Sequence, residues 1–223
     1  MATFDVVIPT LGRASLPILL SALAASGRQI PGRVVVVHDV RGELRLPRVD
    51  AIELEVLRGP GRGPAAARNV GWRAASAEWI AFVDDDVVPA PDWAERLADD
   101  LAALAADVAG SQGRVVVPLP AARPPTDWER DVAGLERARW ATADMAYRRS
   151  VLVAVGGFDE RFGRAYREDA ELALRVQAAG YRLLRGQRAV THPVPTPERW
   201  ASLRRQAGNA DDALMAALHG DWR

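Results

Sequence analysis

The run Trp79-Ile80-Ala81-Phe82-Val83 stops abruptly at Asp84-Asp85-Asp86. A short apolar run rich in aromatic and branched residues predicts a strand buried on both faces, inside a sheet rather than at its edge. Val34-Val35-Val36-Val37 reads the same way and ends at His38-Asp39, and Phe4-Asp5-Val6-Val7-Ile8 ends at Pro9-Thr10. Sheets of such strands need helices on both faces, and their ligands lie outside the carboxyl ends of the strands. Three carboxylates collected there repel one another unless a cation stands among them. The ordinary alternative is a solvated acidic turn or a helix cap.

The segments between these strands alternate accordingly. Leu16, Leu19, Leu20 and Leu23 stand at helical spacing after Ser15 and before Gly27, and Pro64 starts a helix over 65–75. Residues 52–57 predict a further strand, and 92–106 a helix introduced by Pro89 and Pro91. The second half reads as a strand at 115–117, a proline-rich loop at 118–125, and a helix over 128–140. A strand-like return at 141–147 and a short helix at 150–155, closed by Gly156-Gly157, come next. Then follow a helix at 167–179, short strands at 181–184 and 189–191, and a final helical stretch from 198 to about 218. The pattern is one α/β domain of Rossmann-like type: three layers, α/β/α, around a mostly parallel sheet, with halves at 1–115 and 116–223.

Composition removes several chemistries. All 29 basic residues are arginine and none is lysine, which excludes Schiff-base lysine catalysis and a phosphate-binding loop of the Walker type. Without cysteine there is no thiolate nucleophile, no disulfide and no thiolate zinc site. A net charge of zero gives nucleic-acid binding no electrostatic support. No apolar run of 18 residues and no basic-plus-apolar leader is present, so the expected location is cytoplasmic, with no membrane span and at most peripheral membrane contact.

Four further features each have an ordinary structural reading. Asp39 could cap a turn. Arg68 and Asn69, one turn into the helix after Gly63-Pro64, could be surface residues, although a helix start with an arginine is also an anion site. Glu168-Asp169 could be first-turn acids favoured by the helix dipole. His192, between Thr191 and Pro193, could be a loop histidine.

In order, however, the motifs resemble those of the family 2 glycosyltransferases of the GT-A fold, over roughly residues 4–192. They are Val7-Ile8-Pro9-Thr10-Leu11-Gly12-Arg13, the strand-end Asp39, Ala67-Arg68-Asn69-Val70-Gly71, the DxD motif Asp84-Asp85-Asp86, Gly156-Gly157-Phe158-Asp159-Glu160-Arg161-Phe162, and Glu168-Asp169. The resemblance implies a nucleotide-diphospho-sugar donor lying across the strand ends, held by Pro9, Thr10, Arg13, Asp39, Arg68, Asp84 and Asp85. It makes 1–115 the donor half and 116–223 the acceptor-facing half. Asp86 would ligate a divalent metal bridging the two phosphates; hard oxygen ligands suit Mg²⁺ or Mn²⁺, and an added imidazole from His192 favours Mn²⁺. Asp169 matches the catalytic base of an inverting transfer, and Glu168 would hold the acceptor or orient Asp169.

The chain also departs from the family pattern. Only Asp39 remains of the usual acidic turn after the second strand, so the base is open, with a UDP-sugar the first expectation. The Gln-x-x-Arg-Trp signature of processive synthases is missing; residues 200–206 echo it loosely, with Arg204 and Arg205 as diphosphate candidates. A single-transfer enzyme acting on a glycan, lipid-linked or small-molecule acceptor is therefore expected. Two other readings stay open, a nucleotide-sugar-binding module without turnover and a sugar-phosphate nucleotidyltransferase. The second lacks its glycine-rich, lysine-bearing loop after the first strand. Trp128 and Trp140 flank the acceptor region and could stack on a sugar or simply pack.

Overall fold

A computed structural model describes residues 2–26, 32–46, 49–195 and 209–222. Eight strands form one sheet: β1 (Phe4–Thr10), β2 (Val34–His38), β3 (Leu54–Arg58), β4 (Trp79–Val83), β5 (Val88–Pro89), β6 (Val108–Val116), β7 (Asp144–Arg148) and β8 (Arg182–Thr191). Their order across the sheet is β3-β2-β1-β4-β7-β6-β8-β5. Strands β1 to β4 pair in parallel, as do β6 and β8, while β7 runs against both β4 and β6, and β5 against β8. The sheet is thus mostly parallel, and β7 carries the second half of the chain into its middle.

Helices cover both faces: α1 (Leu16–Ala24), α2 (Pro64–Ala74), α3 (Trp93–Ala102), α4 (Asp127–Ala133), α5 (Arg149–Val155), α6 (Glu168–Ala178) and α7 (Asn209–His219). The strand period of two decides which residues go where. Val6, Ile8, Val34 and Val36 pack with Leu16, Leu20, Trp93 and Leu97 on one face. Val7, Val35 and Val37 pack with Ala67, Trp72, Leu152 and Leu172 on the other. The two cores make the three layers. Because Gly71 has no Cβ, α2 closes directly onto Val7 of β1, where any larger residue would collide.

Some expected boundaries move. Strand β6 begins at Val108, seven residues before the apolar triplet at 115, since its Gly110-Ser111-Gln112-Gly113 centre lacks strand-like side chains. The two short strands expected around 181–191 are one strand, β8, with irregular register against β6. The helix expected over 128–140 is α4, opened by a Thr126/Glu129 capping box, and then a 3₁₀ turn at Gly134–Arg137. Gly27 and residues 198–208 of the expected final helix lie outside the described residues. No helix among the described residues is long and apolar enough to cross a membrane.

The chain passes from β1 to β2 on one side and later to β4 on the other. The carboxyl ends of β1 and β4 therefore flank a topological switch point, and Thr10, Asp39 and the three aspartates collect there.

Candidate active site

A cavity of about 970 Å³ opens at these strand ends. Pro9, Thr10, Arg13, Asp39, Arg68, Asp84, Asp85, Asp86, Glu168, Asp169 and His192 all line it. Sequence positions up to 183 residues apart, from Pro9 to His192, are brought to one wall or another of the same space.

The three aspartates are not equivalent. Asp85 is buried; it accepts the Thr10 hydroxyl at 2.5 Å and Arg13 Nη1 at 3.1 Å. Asp86 takes the same Arg13 nitrogen on one oxygen and faces His192 Nε2 at 3.5 Å with the other. Asp84 accepts from Arg68 Nη2 at 2.7 Å. Burial pushes the Asp85 carboxyl above the usual range against the pull of Thr10 and Arg13. Burial does the same for Asp86, with the Asp84 charge adding to it and His192 and Arg13 opposing.

Asp39 lies just past β2 and spends both oxygens on backbone. Oδ1 accepts from Gly61 N at 2.7 Å and Oδ2 from Gly63 N at 2.8 Å. It thereby fixes the glycine loop that leads into α2, where Gly63 has φ +96° and abuts the carbonyl of Gly163 across the cavity rim. That φ and that approach both require glycine. Of the two readings open for Asp39, a turn cap and a nucleotide contact, its carboxylate makes the cap, on the Gly61–Gly63 loop.

Arg68 is buried and bridges two walls. Besides Asp84 it donates Nη1 to Glu168 Oε1 at 2.8 Å, and it lies over the Phe158 ring. Burial works against its charge, but the Asp84 and Glu168 carboxylates outweigh burial and raise its pKa. Its guanidinium is thus engaged by carboxylates. Next to it, Asn69 exchanges hydrogen bonds with Phe158 N and O at 2.9 Å and takes Trp72 Nε1 at 2.8 Å. The Ala67–Gly71 and Gly156–Phe162 motifs are therefore one packed unit.

Glu168 and Asp169 open α6. Burial pushes Glu168 up to about 7, with Arg68 opposing and the Asp169 charge adding. Its Oε2 is buried without a hydrogen-bond partner among the described residues. Burial also raises Asp169, against hydrogen bonds from the Ala170 and Thr142 backbone. A carboxyl held above its ordinary range and open to a cavity has the character of a general base.

The donor set fits a divalent ion only in part from the protein itself. Among the described residues no group of three His, Asp or Glu side chains converges closely enough to hold a metal. Asp86 and His192 do converge. His192 Nδ1 lies 3.0 Å from the Pro193 carbonyl, which can only accept, so Nδ1 carries a proton, and Nε2 faces Asp86 at 3.5 Å. With Nδ1 engaged on backbone, Nε2 is the ring nitrogen a metal would take. One carboxylate and one imidazole, completed by substrate phosphates and water, suit Mg²⁺ or Mn²⁺.

Other lining residues were not singled out from sequence. They include Arg139, Thr142, Arg164, Tyr166 and Arg167. Among the described residues two other than glycine adopt left-handed backbone, Trp140 at φ +65° and the cavity-lining Arg167 at φ +74°, and no local sequence pattern signals them. Trp128 and Trp140 do not line the cavity: Trp128 donates to Pro195 O at 2.8 Å, and Trp140 packs against the core. Arg204 and Arg205 lie outside the described residues.

The family model described as Glycosyl transferase family 2 matches residues 5–140. The Pre-mycofactocin glycosyltransferase of Mycobacterium tuberculosis is 32% identical over 149 residues, a match covering 59% of this chain and 30% of that protein. The chain thus corresponds to under a third of that relative's length. Among solved structures, S. aureus TarS 1-349 in complex with UDP-GlcNAc superposes with a TM-score of 0.63 at 18% identity, covering 90% of this chain and 61% of that one. The mannosyltransferase PcManGT from Pyrobaculum calidifontis, in complex with GDP-Man and Mn²⁺, gives 0.60 at 22% identity, covering 95% and 64%. At such identities the likeness is one of fold, a GT-A glycosyltransferase fold.

Proposed function

The chain belongs to glycosyl transferase family 2, and from that premise we propose that it moves a sugar from a nucleoside diphosphate donor, a UDP-sugar first among them, to an acceptor hydroxyl with inversion. One observation carries the reading. Glu168, Asp169 and His192 lie beyond the family-matched residues, yet the fold delivers them to the cavity that Asp84, Asp85 and Asp86 line.

In this reading the donor lies over the ends of β1, β2 and β4, against Pro9, Thr10, the Asp39-held glycine loop and Asp84. Arg13 offers a cation on the diphosphate side of Asp85 and Asp86. Asp86 and His192 would hold a divalent ion, which when bound neutralises charge on the departing diphosphate. Asp169 takes the proton of the acceptor hydroxyl as its oxygen attacks the anomeric carbon. The bond from that carbon to the diphosphate oxygen breaks, and its electron pair leaves with the nucleoside diphosphate. Glu168, fixed on Arg68, sets the orientation and charge beside Asp169.

UDP-, GDP- and dTDP-sugars are offered to the protein with and without Mn²⁺, and binding is read by calorimetry. Metal-dependent binding of one of them, followed by transfer to a hydroxyl acceptor with inverted configuration, is the expected result. Binding without turnover would leave a nucleotide-sugar-binding module; no binding to any donor would remove the proposal.

A further inference from the structure

Helix α7 sits on the chain segment that aims Glu168 and Asp169. Three of its side chains reach that region: Asp212 Oδ1 meets Arg167 Nε at 2.8 Å, Asp211 Oδ2 meets Arg164 Nε at 3.7 Å, and His219 Nε2 meets Glu171 Oε1 at 3.3 Å. Just beyond the helix, the Trp222 ring lies 4.6 Å from the Arg167 guanidinium carbon. Arg167 also donates to the Tyr166 hydroxyl at 2.7 Å.

Arg167 is the residue on which the direction of α6 turns. It is the N-cap, it adopts φ +74°, and its carbonyl accepts the helical bond from Glu171 N at 2.8 Å. Left-handed backbone is unfavourable for a long side chain, so such a residue stays there only when its surroundings hold it. Here the holders are Asp212, Tyr166 and Trp222. The other end of the same loop is wedged, because Gly163 presses on Gly63, which Asp39 fixes. The loop at 163–167 is thus anchored at one end by the donor half and at the other by α7.

We propose that Asp212, acting through Arg167, is a positioning residue for the Glu168–Asp169 pair, and that α7 is a working part of the transfer site rather than a peripheral tail. The inference rests on the glycosyltransferase reading for its kinetic consequence, but not for its structural one. Asp212 does not line the cavity, so its removal should leave the donor's nucleotide contacts alone and disturb the geometry of the base.

The test uses Asp212→Asn, Asp212→Glu and Arg167→Gly in the full chain. Glycine takes φ +74° without strain, so Arg167→Gly removes the brace while sparing the backbone. Three readings are taken: kcat and KM with the UDP-sugar turned over by the wild type, UDP affinity with Mn²⁺, and amide hydrogen exchange over residues 163–170. Misplacement of a reacting group by about 1 Å can cost about 10²-fold, so kcat should fall by roughly 10- to 10²-fold in Asp212→Asn and Arg167→Gly. In Asp212→Asn, KM for the donor and UDP affinity should stay put; exchange should accelerate in both variants, and Asp212→Glu should recover most of the rate. Unchanged exchange over 163–170 in both variants overturns the brace, as does unchanged kcat, or an equal loss of UDP affinity, in Asp212→Asn. Should the wild type turn over no donor, the functional reading is what fails, and exchange alone still decides whether the brace exists.

Discussion

Arg68 Nη1 lies 2.8 Å from Glu168 Oε1, an ion pair buried on both sides and spanning 100 residues of sequence. The same guanidinium holds Asp84, so a single cation ties the aspartate turn after β4 to the acidic start of α6. Removing one member of a buried pair typically costs about 3–5 kcal/mol, because the other charge is left without compensation. Arg68→Met should therefore lower stability by about that much above neutral pH. The loss should shrink at lower pH, where Glu168, freed of Arg68 and raised further, takes up a proton. Denaturant unfolding of Arg68→Met and of Arg68→Met/Glu168→Gln at two pH values checks this. The double variant should recover part of the loss, and no recovery would mean the pair is not what the guanidinium stabilises.

Asp169→Asn keeps the shape of the side chain and removes its basicity. Loss of a positioned general base typically costs about 10²–10⁴ in rate, and transfer should fall by that factor. Nucleotide affinity should be unchanged, since the proposed nucleotide-side groups at Thr10, Asp39 and Asp84 stay in place. Steady-state transfer together with UDP titration separates the two; undiminished turnover removes Asp169 from the mechanism.

The acid limb of the pH profile follows from the same pair. Asp169 must be ionised to accept a proton, and burial raises its pKa, so activity should fade as pH drops well before an ordinary carboxylate of about 3.9 would titrate. Glu168, at about 7, is a like charge next to it, so the two titrate as a pair rather than singly. Glu168→Gln removes one member of that pair, so the acid limb of kcat/KM should follow Asp169 alone, as a single titration above that of an ordinary carboxylate. A limb that still takes two steps contradicts the assignment.

The strands that make the site were legible because their information is local. Val34–Val37 and Trp79–Val83 announce burial on both faces, and their polar ends announce the cavity. What could not be read is what distant charges do to one another. Arg188, in a stretch of β8 that looks like a polar loop, is fully buried on Asp144 at 2.7 Å and Asp100 at 3.1 Å, with Trp93 Nε1 also on Asp144. That network, completed by the Ser111 hydroxyl and carbonyl of β6, lets a charged residue sit inside a strand. Asp39 is similar: a strand-end carboxylate is visible in the sequence, but its use on the amides of Gly61 and Gly63 depends on a loop folding back. Arg167 gave no warning either, since left-handed backbone in arginine is set by Asp212 and Trp222 from the far end of the chain.

Asp85 and Asp86 are neighbours with separable duties, and the separation is open to measurement. Asp85 is 4% exposed and joined to Thr10 and Arg13, so it ties the turn after β4 to the end of β1. Its replacement by alanine leaves the Thr10 hydroxyl short of an acceptor and should cost about 1–3 kcal/mol of stability. Asp86 is more open, faces His192, and offers the carboxylate that a divalent ion would take. Asp86→Ala should therefore cost less stability than Asp85→Ala, because it leaves the buried Thr10–Asp85 hydrogen bond in place. It should lose most activity and most of the Mn²⁺ dependence of UDP binding. Thermal unfolding and UDP calorimetry with and without Mn²⁺, run on both variants, should thus show opposite orders: Asp85→Ala worse in stability, Asp86→Ala worse in metal-dependent binding. If Asp85→Ala is the variant that abolishes the Mn²⁺ effect, the metal ligand is the middle aspartate, and His192 is left without a role in the site.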